Sequence, residues 1–490
     1  MGVADVVHRH IAPPLCEGFA VKVDFCARPR PGATRRTARL LGLSVSALLC
    51  AIQPVQAQEA EANAAPSADT APAPSAAAPV YGPTLPQPKV SESVFTLNWE
   101  QHPSSVPPAL IEALGLVGSN YPSVQVAKSG LSAAAADIRS AKWQRYPSLS
   151  VETNLTDGTN RLVPSVAVSA PIWAGGRISG GISRANAQFD ANVARFREVV
   201  IALAIDTSQT YFDIARLARR RALLEESLAE HGRLVQSMER RVAQEVSPAA
   251  DLELARSRYA QIEQELTTVQ AQQQASLFTF AQLVAEPGYE IGNVPVYSDG
   301  LTIDGRDTLV DEALNYDPTL RRIAAEARGG RAELSIAKAS ILPQLIAQYS
   351  YNDIVGSRVG VVARLDTSGG LSRFSAVDGA RARLEGILGQ ANLAERQLRQ
   401  RVHNDLTEFD AAQARAKVSL SATQTSNRVS ESYVRQFIAG RRTWLDVMNS
   451  LRETLTARLG LADAEISAMS AYVRISLRTG RWNPFSDGLK

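Results

Sequence analysis

Cysteine is nearly missing from this 490-residue chain: three residues, at positions 16, 26 and 50, and none beyond. The long remainder therefore has no disulfide framework, thiol nucleophile or cysteine-based metal site. Histidine is almost as scarce. Of five, only His102, His231 and His403 lie beyond the first ten positions, far apart and without ligand spacing. Metal and nucleophilic chemistry have no constellation here, so neither a cofactor nor an enzymatic activity is expected. Aromatic residues make up 6% of the chain, too few for a thick aromatic core. One-sided charge is absent as well, with 52 basic against 49 acidic residues. Seven of those basic and three of those acidic residues fall in 1–57, which leaves 45 and 46 in the rest. Such neutrality gives no reason to expect a nucleic-acid partner. A hydrophobic share of 45% does exclude global disorder.

The ends are read first. Arg35, Arg36 and Arg39 precede the apolar run 41–52, and Pro54 and Val55-Gln56-Ala57 follow it. Basic flank, short apolar stretch and small residues form a secretory signal, and the run is too short for a permanent membrane span. Cys50 lies in that run without a lipobox, so no lipid anchor is expected. The domain reading is a leader over 1–57, an Ala/Pro-rich linker over 58–106, repeats over 107–290 and 309–480, a connector over 291–308 and a tail over 481–490.

The two repeats rest on internal similarity. Ala141-Lys142 and Tyr146-Pro-Ser-Leu149 align with Ala337-Lys338 and Leu342-Pro-Gln-Leu345 at an offset of 196, which also places Pro122 on Pro318. Tyr211-Phe-Asp-Ile-Ala215 resembles Glu408-Phe-Asp-Ala-Ala412 at an offset of 197.

Each repeat opens with short helices and then alternates with period two. Leu149, Val151, Thr153 and Leu155 alternate with polar residues, Asp157–Asn160 turns, and Val163–Ile172 returns. The second copy shows the same over Leu345–Tyr351 and Val359–Leu365. Such strands have one apolar and one polar face, and a lone hairpin is too small to stand by itself. The pattern fits a soluble sheet over a core or strands between lipid and water. Glycine pairs follow, at Gly175-Gly176 and Gly369-Gly370. Then come long helical stretches, Ser179–Val242 returning over Ala249–Leu283, and Ala376–Phe437 returning over Thr443–Leu477. Apolar spacings of three and four run throughout. Some 65 residues reach about 100 Å as a helix, far beyond the needs of a globular domain.

The signatures ending Tyr146-Pro-Ser-Leu149 and Leu342-Pro-Gln-Leu345, with Pro171-Ile-Trp-Ala-Gly-Gly176 and the second tip Gly440-Arg-Arg-Thr-Trp-Leu-Asp-Val-Met-Asn449, identify a resemblance over about 107–480. The chain resembles the TolC family of outer-membrane factors. The resemblance implies a fold that is mainly α with membrane β. Duplicated β-hairpins and long coiled-coil helical hairpins would form a homotrimeric twelve-stranded β-barrel and a twelve-helix periplasmic α-barrel. It implies an outer-membrane location and a passive duct in a tripartite export system. The implied partners are a periplasmic adaptor, an inner-membrane ABC or proton-driven transporter, and outer-membrane lipid. This chain departs from the family pattern in its first helix, 107–119, in the short stretch after the second coiled coil, and at Arg364-Leu-Asp-Thr367. That segment stands where the first repeat has Ala170-Pro-Ile-Trp173, so the two sheet-to-helix junctions are unequal.

By motif match the resemblance places a gate at the hairpin tips. Asp251 and Arg442 take the positions of an ion pair that holds the tunnel shut, and Phe437 that of a lock tyrosine whose hydroxyl is missing here. Asp446 falls on a constriction-ring aspartate and Asn449 on the second acidic position. Ser247, Pro248, Ala439, Gly440 and Arg441 are the expected adaptor-docking turns. Two other readings stay open at this point: a periplasmic adaptor, and a coiled-coil scaffold without a pore. Type I protein secretion and multidrug efflux are both compatible with a duct. The missing lipobox favours the secretion branch.

Overall fold

A computed structural model describes residues 96–103, 105–156, 161–286, 292, 295–297, 301–354, 356–365 and 371–485. The leader, most of the linker, the Asp157–Asn160 turn, Gly369-Gly370 and the last five residues lie outside the described residues. Everything described belongs to one unit, Tyr81–Lys490.

The element order repeats almost residue for residue. Helices α1 (Pro108–Asn120) and α2 (Pro122–Trp143) lead into β1 (Ser148–Thr156) and β2 (Arg161–Trp173), then α3 (Arg177–Ala243) and α4 (Ala249–Val284). After a 3₁₀ turn at Arg306–Thr308, α5 (Leu309–Tyr316) and α6 (Pro318–Ala339) precede β3 (Gln344–Asn352) and β4 (Gly356–Arg364). Then follow α7 (Ser372–Ile438) and α8 (Trp444–Thr479). Helices α3 and α7 are both 67 residues, and α4 and α8 both 36. Starting positions differ by 201 between α1 and α5, by 196 for α2 to α6 and β1 to β3, and by 195 from β4 onward. The likeness of Tyr211-Phe-Asp to Glu408-Phe-Asp, at 197, is therefore one of local sequence and not of position in the helix.

Proline and glycine set the boundaries. Pro108, Pro122 and Pro318 each stand at the first helical position, where a missing N–H leaves nothing unbonded. Gly175 and Gly176 turn β2 into α3 with φ of 58° and 93°, values that side chains with a Cβ rarely adopt. A Cβ on Gly175 would stand 3.1 Å from Leu342, so this turn seats the first repeat against the second.

The four strands form one antiparallel sheet in the order β1-β2-β3-β4. Its register carries residues across from strand to strand. Val151 pairs with Val166, Val166 with Tyr351, Leu149 with Val168, Val168 with Tyr349 and Tyr349 with Val359. Paired residues share a face, so this face is apolar from edge to edge. Ser150–Ala167–Ser350–Arg358 and Ser148–Ser169–Gln348 cross the other face. No described side chain of the sheet is buried. Val151 is 66% exposed and Val359 84%. A soluble sheet would bury that apolar face on a core; this one has no core on either side.

Helix α3 is the spine. It packs against α2 and α6 near the sheet and against α4 and α8 farther away, while α7 packs on α6 and α8. All twelve apolar stripe positions from Val193 to Val242 are buried or half-buried. Small residues Ala204, Thr207, Ser208 and Ala215 let neighbours approach the helix from a second side. The largest cluster gathers Leu110, Leu114, Phe196, Tyr211, Phe280, Phe409 and Trp482 at the waist. Chain ends join it: the Asn98 N–H donates to the Pro484 carbonyl at 2.7 Å, and Trp99 meets Trp482 edge-on at 5.6 Å. The end of the linker range and the start of the tail range are thus part of this core. A buried ionic cluster sits beside it, with Asp405 3.2 Å from Arg474 and 3.0 Å from Arg478. Burial pushes the Asp405 carboxyl upward against the pull of both arginines. It ties α7 to α8.

Trp482→Ala empties a fully buried site in the waist. It is expected to lower stability by about 3–5 kcal/mol, read as a reduced thermal midpoint of the helical circular dichroism signal. A midpoint matching the parent would show that the chain-end clasp is dispensable.

Candidate functional site

The tips of the two helical hairpins, the ends remote from the sheet, hold every residue singled out for gating or docking. Their backbones are copies. At the first, Glu245 N–H donates to the Val242 carbonyl and Val246 N–H to the Arg241 carbonyl, both at 2.9 Å. At the second, Gly440 N–H donates to Phe437 and Arg441 N–H to Gln436, again at 2.9 Å. These paired bonds are the Schellman pattern, which needs a left-handed residue just past the helix. Gly440 fills that position at φ 71°, whereas the first tip places Glu245 there at φ 60°. A glycine-based search for turns misses the first tip for that reason.

The offset of 195 puts Asp251 and Asp446 in equivalent places, in the first turns of α4 and α8. A carboxylate there faces the positive end of a helix dipole. Thr443 caps α8: its hydroxyl accepts from the Asp446 N–H at 3.3 Å and lies 2.8 Å from a carboxylate oxygen of Asp446. That hydroxyl, helped by the Thr443 backbone N–H and the Arg442 guanidinium, holds the Asp446 carboxyl below the usual range. Arg442 lies 3.7 Å from Asp446, donates to the Gln436 side chain at 3.3 Å and covers the Tyr433 ring at 4.4 Å. The expected Asp251–Arg442 pair does not form within the protomer; Arg442, in the turn between α7 and α8, is engaged with both helices of its own hairpin. Asn449 is exposed on α8, and its counterpart in the first repeat is Leu254.

Phe437 is half-buried, 5.0 Å from the Trp444 ring, with the Arg241 guanidinium 4.9 Å above it. It belongs to a cluster with Met238, Leu252, Trp444, Val447 and Met448 that binds both hairpins together at the tip. The sequence reading did not single out Arg241, Thr443 or Trp444. Arg241 Nε donates to the Ser247 hydroxyl at 3.1 Å. At the offset, Arg241 and Ser247 correspond to Gln436 and Arg442, so both tips carry one cross-turn bond with its arginine on opposite ends. Thr443-x-x-Asp446 is a capping-box spacing that sequence alone could have yielded. Ser247 is half-buried; Pro248, Ala439, Gly440 and Arg441 are exposed, beside exposed Val246, Ile438 and Leu445. A Cβ on Gly440 would meet nothing within 4 Å.

Among the described residues no cluster of His, Cys, Asp or Glu could hold a metal ion. No helix there is long and apolar enough to cross a membrane. Residues 114–286, most of the first repeat, match the family described as Outer membrane efflux protein. Over that stretch the chain is similar to that family. That family's description names the outer membrane, the compartment the sequence led us to expect. No curated protein matches the chain.

Solved structures extend the likeness across both repeats. The outer-membrane channel OprN is 17% identical with a TM-score of 0.69, covering 82% of this chain and 98% of its own. VceC of Vibrio cholerae is 18% identical, TM-score 0.67, covering 76% and 96%. CmeC of Campylobacter jejuni is 14% identical, TM-score 0.67, covering 82% and 93%. The efflux-family match and the TolC-like fold thus agree with the resemblance carried by the two tip and junction signatures.

Because the folded state favours the Asp446 carboxylate, its stabilising effect is complete above the ordinary carboxylate range. It is lost as pH falls through the lowered midpoint. Thr443→Val removes the responsible hydroxyl and the cap. The Asp446 titration followed by carbon-13 NMR should move up toward the ordinary value, and the start of α8 should weaken by about 1 kcal/mol in hydrogen exchange. An unmoved titration would mean that Thr443 does not govern this carboxyl.

Proposed function

We propose that this chain is the outer-membrane duct of a tripartite export system, working as a homotrimer without catalytic activity. One observation carries the reading: a sheet with an apolar face, a polar face, no core on either side and two unpaired edges, β1 and β4. Open edges do not survive in lipid, where every backbone N–H and C=O must find a partner. Pairing β4 of one copy with β1 of the next satisfies both edges, and three copies supply twelve strands around water. The helices repeat that logic. Within the protomer α2 and α7 are outermost near the sheet and α4 and α7 near the tips, so the same three copies close a helical tunnel.

The adaptor and the poreless scaffold are disfavoured by the same feature, since neither needs a sheet with one lipid-compatible face. The tips, with small residues at Ala439 and Gly440 and the turn at Ser247, Pro248 and Arg441, are the docking point for a periplasmic adaptor. That adaptor links the duct to an inner-membrane ABC or proton-driven pump. The substrate is either a secreted protein or a small toxic compound, and the efflux family matched over 114–286 supports the second.

Threefold symmetry turns Asp446 into a ring of three carboxylates and Asn449 into a ring of three amides at the tunnel mouth. Rings of like charge at a narrow point favour cations. Arg442 and Phe437 act as the restraint: Arg442 reaches Asp251 across the boundary between neighbouring copies, and Phe437 holds by packing.

Mild-detergent extracts of outer membrane should yield a heat-modifiable species with the mass of three chains. A monomeric or dimeric mass, or release by salt alone, would overturn the duct. In planar bilayers, Asp446→Asn should weaken cation preference and Arg442→Ser should raise the resting conductance. Parent-like conductance in both would move the gate away from these residues. Bulky substitutions at Ala439 and Gly440 should abolish export and leave the trimer in the membrane, whereas normal export would place docking elsewhere.

A further inference from the structure

The unequal junctions between sheet and helices play no part in the duct or its gate. In the first repeat the junction is aromatic and basic: α2 ends at Lys142-Trp143, the turn adds Arg145 and Tyr146, and β2 ends at Trp173. At the repeat offsets the second copy has Lys338, Ala339, Ile341, Leu342 and, because the offset here is 195, Ser368 rather than the Thr367 that the sequence alignment set against Trp173. At these five positions rings occur in the first copy only. The ring nearest the second junction is Phe374, 53% exposed in the first turn of α7 and without an aromatic partner among the described residues.

Their placement is specific. Trp173 pairs with Leu345, which pairs with Ala363. That row belongs to the apolar face and lies at the helix end of the sheet, where the apolar band stops. The Trp143 and Tyr146 rings pack 5.0 Å apart at 51°, yet they are 68% and 60% exposed. Lys142 and Arg145 are exposed beside them. Neither side chain has a hydrogen-bond or ion-pair partner among the described residues. Of the other cations at this level, Arg177 donates to Gln344 at 3.3 Å and Arg373 to the Ser340 carbonyl, while Lys338 and Arg364 of the second repeat are exposed but have no aromatic pair beside them. Exposed aromatic rings at the edge of an apolar band take the depth of lipid headgroups, and unpaired cations just outside it attract lipid phosphates.

We propose that Lys142, Trp143, Arg145, Tyr146 and Trp173 form a headgroup site for one anionic phospholipid of the periplasmic leaflet. The proposal rests on the reading of the sheet as part of a membrane-spanning barrel. The rings fix the depth of the junction, and the two cations take the phosphate while their apolar stems lie along the rings. Because the second repeat has no rings there, the site occurs once per protomer and anchors the barrel at three points.

The test is native mass spectrometry of the full chain reconstituted in phosphatidylethanolamine vesicles with or without phosphatidylglycerol. The parent should retain phosphatidylglycerol preferentially. Lys142→Gln with Arg145→Gln should reduce that preference roughly 5- to 30-fold, with trimer and insertion intact. Lys338→Gln, the matching position of the second repeat, should leave it unchanged. Brominated lipids should quench Trp143 emission in the parent. Parent-like retention in the double variant, an equal loss in Lys338→Gln, or unquenched Trp143 would overturn the site. A parent that forms no heat-modifiable membrane trimer would overturn the duct reading itself, an outcome separate from a trimer lacking lipid preference.

Discussion

Backbone hydrogen bonding at the two open sheet edges is the constraint on which the rest of this architecture depends. Each edge strand exposes a row of N–H and C=O groups, nine residues long in both β1 and β4. In water such a row is solvated; in hydrocarbon it must be paired. In the duct proposed above, the apolar face without a core would meet hydrocarbon, and closure with further copies would pair the edges. The polar face, with Ser148, Ser150, Glu152, Gln348 and Arg358, would line a wet interior.

Helix length answers a second constraint. A structure anchored in one membrane and engaging machinery of another needs reach, and 67 residues give about 100 Å at 1.5 Å per residue. Helices this long hold together only if packed along their whole course. Helix α3 does so with apolar residues toward one neighbour and Ala, Ser and Thr toward another. The dense points are the waist, where aromatics from both repeats meet Trp99 and Trp482, the ionic cluster of Asp405 with Arg474 and Arg478, and the tip cluster around Trp444. Leu217, Leu224, Ile262, Leu266 and Val269 continue the packing between waist and tip.

Duplication supplies symmetry, and substitution breaks it where function can use the difference. At the tips, Gly440 and Glu245 hold one backbone conformation by different means, and Arg241–Ser247 and Gln436–Arg442 exchange the ends of one bond. Only the second tip has the Thr443 cap that holds Asp446 ionised. At the sheet, Trp143, Tyr146 and Trp173 stand where the second repeat has Ala339, Leu342 and Ser368.

Much of this was legible in the chain itself. Period-two alternation at Leu149–Leu155 and Leu345–Tyr351 defines a two-faced strand from one residue to the next. Three-and-four spacing from Val193 to Val242 defines a packed helix, and Ser247-Pro248 and Gly440 mark where helices turn, because these are local effects of backbone geometry. The motif around Gly440–Asn449 located the tip for the same reason. Tertiary structure decided what depends on distant partners. Register determined that Val151, Val166 and Tyr351 form one continuous face, and the lack of any covering element determined that this face is bare. Arg442 turned to Asp446, Gln436 and Tyr433 instead of Asp251 because those groups are held beside it on its own two helices. Leu97–Trp99 and Trp482–Phe485 joined the core because the waist brings together ends separated by almost four hundred residues, an encounter that no local pattern encodes.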